Sequence, residues 1–284
     1  MQTKKVIYIA GYGRSGSTLL DSILSNIPRV EGLGEISNLF DALEKDENCS
    51  CGLSLKSCEH WQDIVTLTET YQLEHLSRAH RKIEGVHLAR TDQKEIYTAF
   101  WKELIEIKFR DYDYLIDSSK ISRMTLFRPL MLKKLGFDVK VIHLYKPTDL
   151  LLTSLLKGSN KTLDKGVTLT GWRLYLFIIK SFFGALLADF TTCIIGRFFI
   201  KDYMKLNFKD LQTSPSKTCN RILNFTDESC INFHSNEFDK GHGVSGNRMR
   251  KNGGNILLSK ARELNNKPPI HFRILFSILR IFHQ

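Results

Sequence analysis

Residues 6–20 read VIYIAGYGRSGSTLL, and this stretch decides the fold. A short run rich in β-formers, VIYIA, ends in a glycine-rich turn, and STLLDSIL then has the pattern of a helix. Strand, glycine loop and helix start together make an anion cradle, because free backbone N–H groups and the positive end of the helix dipole face one small volume. The spacing Gly11-x-x-x-x-Gly16 followed by Ser17 and Thr18 is almost a phosphate-binding loop of the Walker A type. Ser17 stands where that loop carries its lysine. A nucleoside triphosphatase needs the lysine on its β- and γ-phosphates, so the change points to a phosphorylated ligand without a γ-phosphate. Arg14 adds a fork-shaped cation inside the loop.

Working outward, 114–118 reads as a second strand, 123–135 as a helix, 138–145 as a third strand and 149–157 as a helix. YMKLNF at 203–208 reads as a later strand, and 214–225 as a helix with Ser214 at its cap and Pro215 in its first turn. Strands alternating with helices predict an α/β fold, a P-loop-like central parallel sheet flanked by helices, with ligands at the carboxyl ends of its strands. Residues 61–110 are helical in pattern, and 46–60 form a loop rich in Cys, Ser and Gly.

The loop GRSGSTLL resembles the 5′-phosphosulfate loop of sulfotransferases that use PAPS (3′-phosphoadenosine 5′-phosphosulfate), with Arg14, Ser15, Gly16, Ser17, Thr18 and Leu19 all matching. Further segments resemble that family in its own order. GLGEISNL at 32–39 is similar to a Gly-Glu element whose glutamate is often the catalytic base, here Glu35, with Glu31 as a nearby competitor. YLIDSSKISR at 114–123 resembles the strand-end element that supplies a sulfonate-contacting lysine, here Lys120. VIHLYKPTDLLLTSLLK at 141–157 resembles the 3′-phosphate element, which puts Lys146 in place of an arginine and Ser154 on its serine. GHGVSGNRMR at 241–250 resembles the segment that closes over the nucleotide, which assigns Gly246, Asn247, Arg250 and, more weakly, Arg248 to the cofactor.

The resemblance implies transfer of a sulfonate from PAPS to a hydroxyl of a carbohydrate, glycolipid or other acceptor. It assigns Glu35, Lys120 and Arg14 to the catalytic machinery, and it requires no metal. Departures fall at Pro147, Thr148 and Asp149, where Asp-Pro-Arg is usual, and at Phe208, where a tyrosine is common. Two other readings compete. A P-loop kinase or nucleotide switch would need a lysine at 17. A non-catalytic, membrane-associated nucleotide-binding protein is compatible with the altered 147–149 segment.

The chain has 284 residues, 42% of them hydrophobic and 25% charged, enough for one large domain. The expected organisation is a domain over 1–260 with helical acceptor-side insertions at about 61–110 and 160–200, then a basic amphipathic tail at 261–284. The formal net charge of +11 fits anionic ligands, and no nucleic-acid motif accompanies it. VIYIA is too short for a secretory h-region, so a cytoplasmic location is expected. The apolar stretch 172–200 is broken by Lys180, Asp189 and Arg197 and reads as buried helices beside an acceptor cleft. Peripheral contact with a membrane surface is the other reading of this stretch and of the tail. Of the six cysteines, Cys49, Cys51 and Cys58 lie close together. A free-thiol loop is expected there, with a local disulfide, or a zinc ion held with His60, as alternatives.

Overall fold

The computed structural model describes residues 3–84, 90–121, 125–157, 169–226, 237–245, 256–257 and 269–283. Its centre is a sheet of five strands: β1 (Lys5–Ala10), β2 (Val30–Gly32), β3 (Tyr114–Asp117), β4 (Asp138–Tyr145) and β5 (Tyr203–Asn207). The order is β2-β3-β1-β4-β5 and every pairing is parallel. The near-continuous apolar strands VIYIA and VKVIHLY fit burial on both faces. The chain runs from β1 to one side for β2 and β3, and to the other side for β4 and β5. The strand order therefore reverses at β1, and its carboxyl end is a topological switch point, where α/β sheets bind ligands.

Helix α1 (Ser17–Leu24) lies against one face of the sheet, and all eight of its residues are buried. The other face is covered by α2 (Leu39–Glu44), α3 (Gln62–Thr70), α4 (Leu73–Glu84) and α5 (Thr91–Ile107). Phe40, Trp61, Tyr97 and Phe100 form the centre of that core. Helices α6 (Arg128–Lys134) and α7 (Thr148–Leu156) follow β3 and β4. Residues 122–124, the expected start of α6, lie outside the described residues. The strand β2 had no counterpart in the sequence reading, because three residues are too few to show alternation.

The apolar stretch forms one long helix, α8 (Gly171–Ile194), continued by a π-helical turn over Ile195–Ile200. The expectation of buried helices beside an acceptor cleft holds for one face of this helix, which buries Ile178, Phe182, Ala185 and Ala188, and is corrected for the rest. Among the described residues this helix is long and apolar enough, by length and composition, to cross a membrane. One of its faces is also exposed: Trp172 is 69% exposed, and Leu176, Phe183, Leu187 and Phe190 continue the row. Its interruptions have separate explanations. Lys180 and Arg197 face solvent, whereas Asp189 is buried and accepts hydrogen bonds from two histidines, His143 (3.0 Å) and His283 (3.0 Å).

Helices α9 (Phe208–Thr213) and α10 (Pro215–Phe225) follow β5, and β6 (Glu237–Phe238) pairs with β7 (Ile256–Leu257) in a small second sheet. Ser214 takes the expected cap position of α10 but makes no side-chain cap bond. The tail forms α11 (Ile270–Ser277) and α12 (Arg280–His283). Phe272, Phe276 and Leu279 bury against Leu151, Leu152 and Leu155 of α7 and Ile178 and Phe182 of α8. The tail is thus packed on the domain, while Ile270, Ile274, Ile278 and Ile281 point outward. Asp149 pairs with Arg273 at 3.5 Å, so this departure from the family pattern anchors the tail as well as sitting in the first turn of α7.

Candidate active site at the glycine loop

The turn after β1 depends on two glycines. Gly11 has φ 150°, and a Cβ there would stand 2.4 Å from the Leu144 carbonyl oxygen of β4. Gly16 is left-handed (φ 103°), and a Cβ would stand 2.2 Å from the Phe208 ring. The loss of the tyrosine hydroxyl at 208 therefore coincides with a packing role, because the ring closes the back of the loop. The Ser15 N–H donates to the Tyr12 carbonyl at 3.1 Å, and the first helical bond runs from the Leu20 N–H to the Gly16 carbonyl at 3.1 Å. The N–H groups of Ser17, Thr18 and Leu19 precede that bond and open at the loop. Gly16 occupies the N-cap position and no side chain caps the helix, which leaves the hydroxyls of Ser17 and Thr18 for other partners.

The loop concentrates polar and cationic groups. Ser15 is almost fully buried, and its Oγ has no hydrogen-bond partner among the described residues. Two cations, Arg14 and Lys146, lie beside it. Burial pushes the Lys146 ammonium down to about 8, and the neighbouring charges of Arg14 and Lys157 push in the same direction. Lys146 Nζ also lies 4.4 Å from the centre of the Phe208 ring. Arg14, left-handed at φ 73°, donates through Nη1 to Ser154 Oγ at 3.4 Å. The structure thus brings Arg14, Ser15, Gly16, Ser17, Thr18, Lys146 and Ser154 to one cradle. Leu19 is buried on the far side, in the core with Ile9 and Ile23. Gly246, Asn247, Arg248 and Arg250 lie outside the described residues.

Glu35 and Lys120 meet beside the cradle as an ion pair. Their side chains are 14% and 22% exposed, partly withdrawn from water but reachable. The Lys120 stem passes over Gly13 of the loop, 4.0 Å from where a Cβ would be. The D-S-S-K segment holds this arrangement. The Ser118 N–H donates to the Gly34 carbonyl at 2.9 Å, Ser119 Oγ accepts from the Ser37 N–H at 3.0 Å, and the Ser118 hydroxyl donates to Asp21 of α1. On its other side the Glu35 turn pairs with Val244: the Glu35 N–H donates to the Val244 carbonyl (2.8 Å), and the Val244 N–H to Leu33 (2.9 Å). The competitor Glu31 lies elsewhere, 3.1 Å from His60.

A polar cavity of about 360 Å³ opens at this pair, lined by Glu35, Ser37, Asp41, His80, Arg81 and Lys120, among others. A second cleft of about 560 Å³ is lined by Tyr12, Ile121, Leu126, Phe183, Leu187 and other residues of α8. The two flank consecutive residues, Lys120 and Ile121. Sequence reasoning did not find the polar support behind them. Arg128, 1% exposed, donates through Nε to Asp117 at 2.5 Å and pairs with Glu84, which ties α4 and α6 to the end of β3. His80 is pushed down to about 3, by burial first and then by the Arg128 charge, so it is neutral. Its Nε2–H donates to the Ser37 carbonyl at 2.6 Å.

The class of protein is defined by these features: a parallel α/β sheet with a phosphate-type loop at its switch point, no Walker lysine, and a Glu–Lys pair beside the loop. The fold is that of sulfotransferase domains. Over 99% of both chains, with a TM-score of 0.56 and 14% identity, the structure is similar to the sulfotransferase domain from the curacin biosynthetic pathway. It is also similar to the sulfotransferase domain of the Synechococcus PCC 7002 olefin synthase, with a TM-score of 0.50 and 18% identity over 99% of this chain and 97% of that one. No protein-family model matches the sequence, and no curated protein is similar to it.

Proposed function

We propose that this chain is an enzyme that transfers a sulfonate group from PAPS to an acceptor hydroxyl. The observation that carries the reading is the Glu35–Lys120 pair set against a lysine-free glycine loop that gathers cations around an unpartnered serine hydroxyl. When bound, PAPS supplies an already activated sulfonate on a phosphate leaving group. Backbone N–H groups of the loop, the hydroxyls of Ser15, Ser17 and Thr18, and the Arg14 guanidinium hold the phosphosulfate oxygens. Lys146 and Ser154 hold anionic oxygens of the same nucleotide, with Gly246, Asn247, Arg248 and Arg250 proposed for its 3′ side. Lys120 leaves Glu35 for the sulfonate and the bridging oxygen, where charge develops. Glu35 is thereby freed to take the proton of the acceptor hydroxyl. Cationic side chains and N–H dipoles stabilise the charge in this scheme, and it needs no catalytic metal.

The two cavities suit an acceptor with a polyhydroxylated head and an apolar tail. The polar cavity presents carboxylates, hydroxyls and an arginine to a sugar, and the cleft beside Ile121, Phe183 and Leu187 takes hydrocarbon. A glycolipid meets both requirements. The outward Ile270, Ile274, Ile278 and Ile281 of the tail, together with exposed Trp172 and Phe190 of α8 and the exposed Arg173 and Arg280, fit the surface of an anionic bilayer from the cytoplasmic side. Incubation with radiolabelled PAPS and a panel of glycans and glycolipids tests the reading: label moves to an acceptor with release of PAP (adenosine 3′,5′-bisphosphate), and amphiphilic acceptors are preferred. Magnesium-dependent ATP turnover without sulfonate transfer would reverse it. Flotation with anionic vesicles tests the surface contact, which Ile274→Asp together with Ile281→Asp should abolish.

A further inference from the structure

Away from the glycine loop, the thiols of Cys49, Cys51 and Cys58 and the imidazole of His242 gather with all four ligand atoms within 4.8 Å of one another. We propose that they hold a structural zinc ion. Tetrahedral Zn²⁺ has Zn–S distances of about 2.3 Å and Zn–N distances of about 2.0–2.1 Å, so neighbouring ligand atoms lie about 3.5–3.8 Å apart. Three of the six separations fall close to this: Cys51 Sγ to Cys58 Sγ is 3.6 Å, and His242 Nδ1 is 3.3 Å from Cys58 Sγ and 3.8 Å from Cys49 Sγ, with the others inside 4.8 Å. Three thiolates and one imidazole form a closed donor set of the structural kind. In the sequence, a zinc ion held by the cysteines with His60 is one alternative to a free-thiol loop. His60 instead stacks on His242 (ring centres 4.5 Å apart, planes 8° apart) and pairs with Glu31, so it fixes the orientation of the ligand ring.

The surroundings are built to hold the cluster. The backbone N–H groups of Cys51 and His60 hydrogen-bond the sulfurs of Cys49 and Cys58. The turn 49–54 is closed by the Cys49 N–H on the Leu53 carbonyl (2.8 Å) and the Gly52 N–H on the Cys49 carbonyl (3.0 Å). Trp61 Nε1 donates to the His242 carbonyl at 2.7 Å, and Ser50 Oγ to the Gly243 carbonyl at 2.9 Å. Zinc would thus tie the cysteine loop to residues 242–244, and Val244 pairs directly with the Glu35 turn. A metal bound only by the folded site contributes its binding free energy to folding, so the ion fixes the back of the Glu35 turn.

This inference does not rest on sulfonate transfer, and its test does not use it. The full-length protein is purified after growth with zinc and assayed by elemental mass spectrometry and by thiol alkylation of the native protein. The expected result is one zinc per chain, thiols protected from alkylation until a chelator is added, and faster hydrogen exchange at the Val244 and Glu35 amides after chelation. Cys51→Ser, at an exposed position, should weaken zinc binding about tenfold or more, as should His242→Asn, while Cys219→Ser keeps the metal. Cobalt reconstitution should give the thiolate charge-transfer band of a tetrahedral site. Protein that stays zinc-free after reconstitution, a Cys51–Cys58 disulfide in the peptide map, or full zinc content in Cys51→Ser would each overturn the proposal.

Discussion

The Lys120 ammonium forms an ion pair with the Glu35 carboxylate across 85 residues of sequence, at the mouth of the glycine loop. In the proposed mechanism each group occupies the other until anion and acceptor arrive. Glu35→Gln keeps the shape and removes the base. The expected outcome is a fall in kcat of about 10²–10⁴-fold with PAP affinity within a factor of a few, read by label transfer and calorimetry side by side. Equal transfer by the variant would remove Glu35 from the mechanism.

If the proposed nucleotide site holds, Lys146 gives it a pH dependence of definite sign. Free, it titrates near 8, because burial and then Arg14 and Lys157 disfavour its charge. A bound phosphate favours the charged form, so binding takes up a proton once the free lysine has lost its own. PAP affinity should therefore be level below pH 7 and decline as pH rises through 8. Lys146→Arg should flatten that decline, because its guanidinium stays charged throughout. A wild-type affinity that is constant from pH 7 to 10 would contradict this.

The buried Arg128 is a stability determinant. Among the described residues it alone pairs with both Asp117 and Glu84, and Asp117 ends the strand that delivers Lys120. Arg128→Met would strand two buried carboxylates, at a cost of about 3–5 kcal/mol in denaturant unfolding. A loss under 1 kcal/mol would show that the network is relieved by water.

The trio His143, Asp189 and His283 ties the tail to the core and imposes a second pH dependence. Burial pulls the His143 imidazole down, and its hydrogen bonds to Asp189 and Cys193 more than offset this, so its pKa lies above the usual 6.5. Its stabilisation is complete below 6.5 and is lost as pH rises through the raised value. Burial pushes the Asp189 carboxyl up, but hydrogen bonds from His143 and His283 leave it below 3.8, so its contribution is present above 3.8 and lost at lower pH. Thermal stability should peak between about pH 4 and 6.5 from this source. Asp189→Asn should lower stability most in that window and expose α11 to proteolysis.

How much of this was legible in the sequence follows from range. The strand–loop–helix at 6–24 could be read because its signal is local: β-formers, then glycines at fixed spacing, then a helix start. Lys120 and Lys146 could be placed because each follows a legible strand, and a parallel sheet brings its carboxyl ends together, whereas Glu35 and Ser154 were placed by the resemblance to sulfotransferases alone. Contacts between residues distant in sequence were invisible. No pattern links Arg128 to Glu84, or His242 to cysteines about 190 residues earlier, |i−j| being 193 for Cys49. His60 was grouped with the cysteines on proximity in sequence, whereas the structure sets His242 among the thiols and pairs His60 with Glu31. Asp189 read as an interruption of an apolar run because its histidines come from β4 and from the tail. Phe208 read as a lost hydroxyl, whereas its ring is what requires glycine at 16.

The central claim is that this loop grips a bisphosphorylated adenine nucleotide. Isothermal titration of the folded protein with PAP and with AMP tests it most directly. The account predicts PAP binding at least about tenfold tighter than AMP, a gap of about 1.4 kcal/mol or more, with most PAP affinity lost in Arg14→Ala. Equal affinity for the two nucleotides, or an Arg14→Ala variant that binds PAP like the wild type, would contradict it.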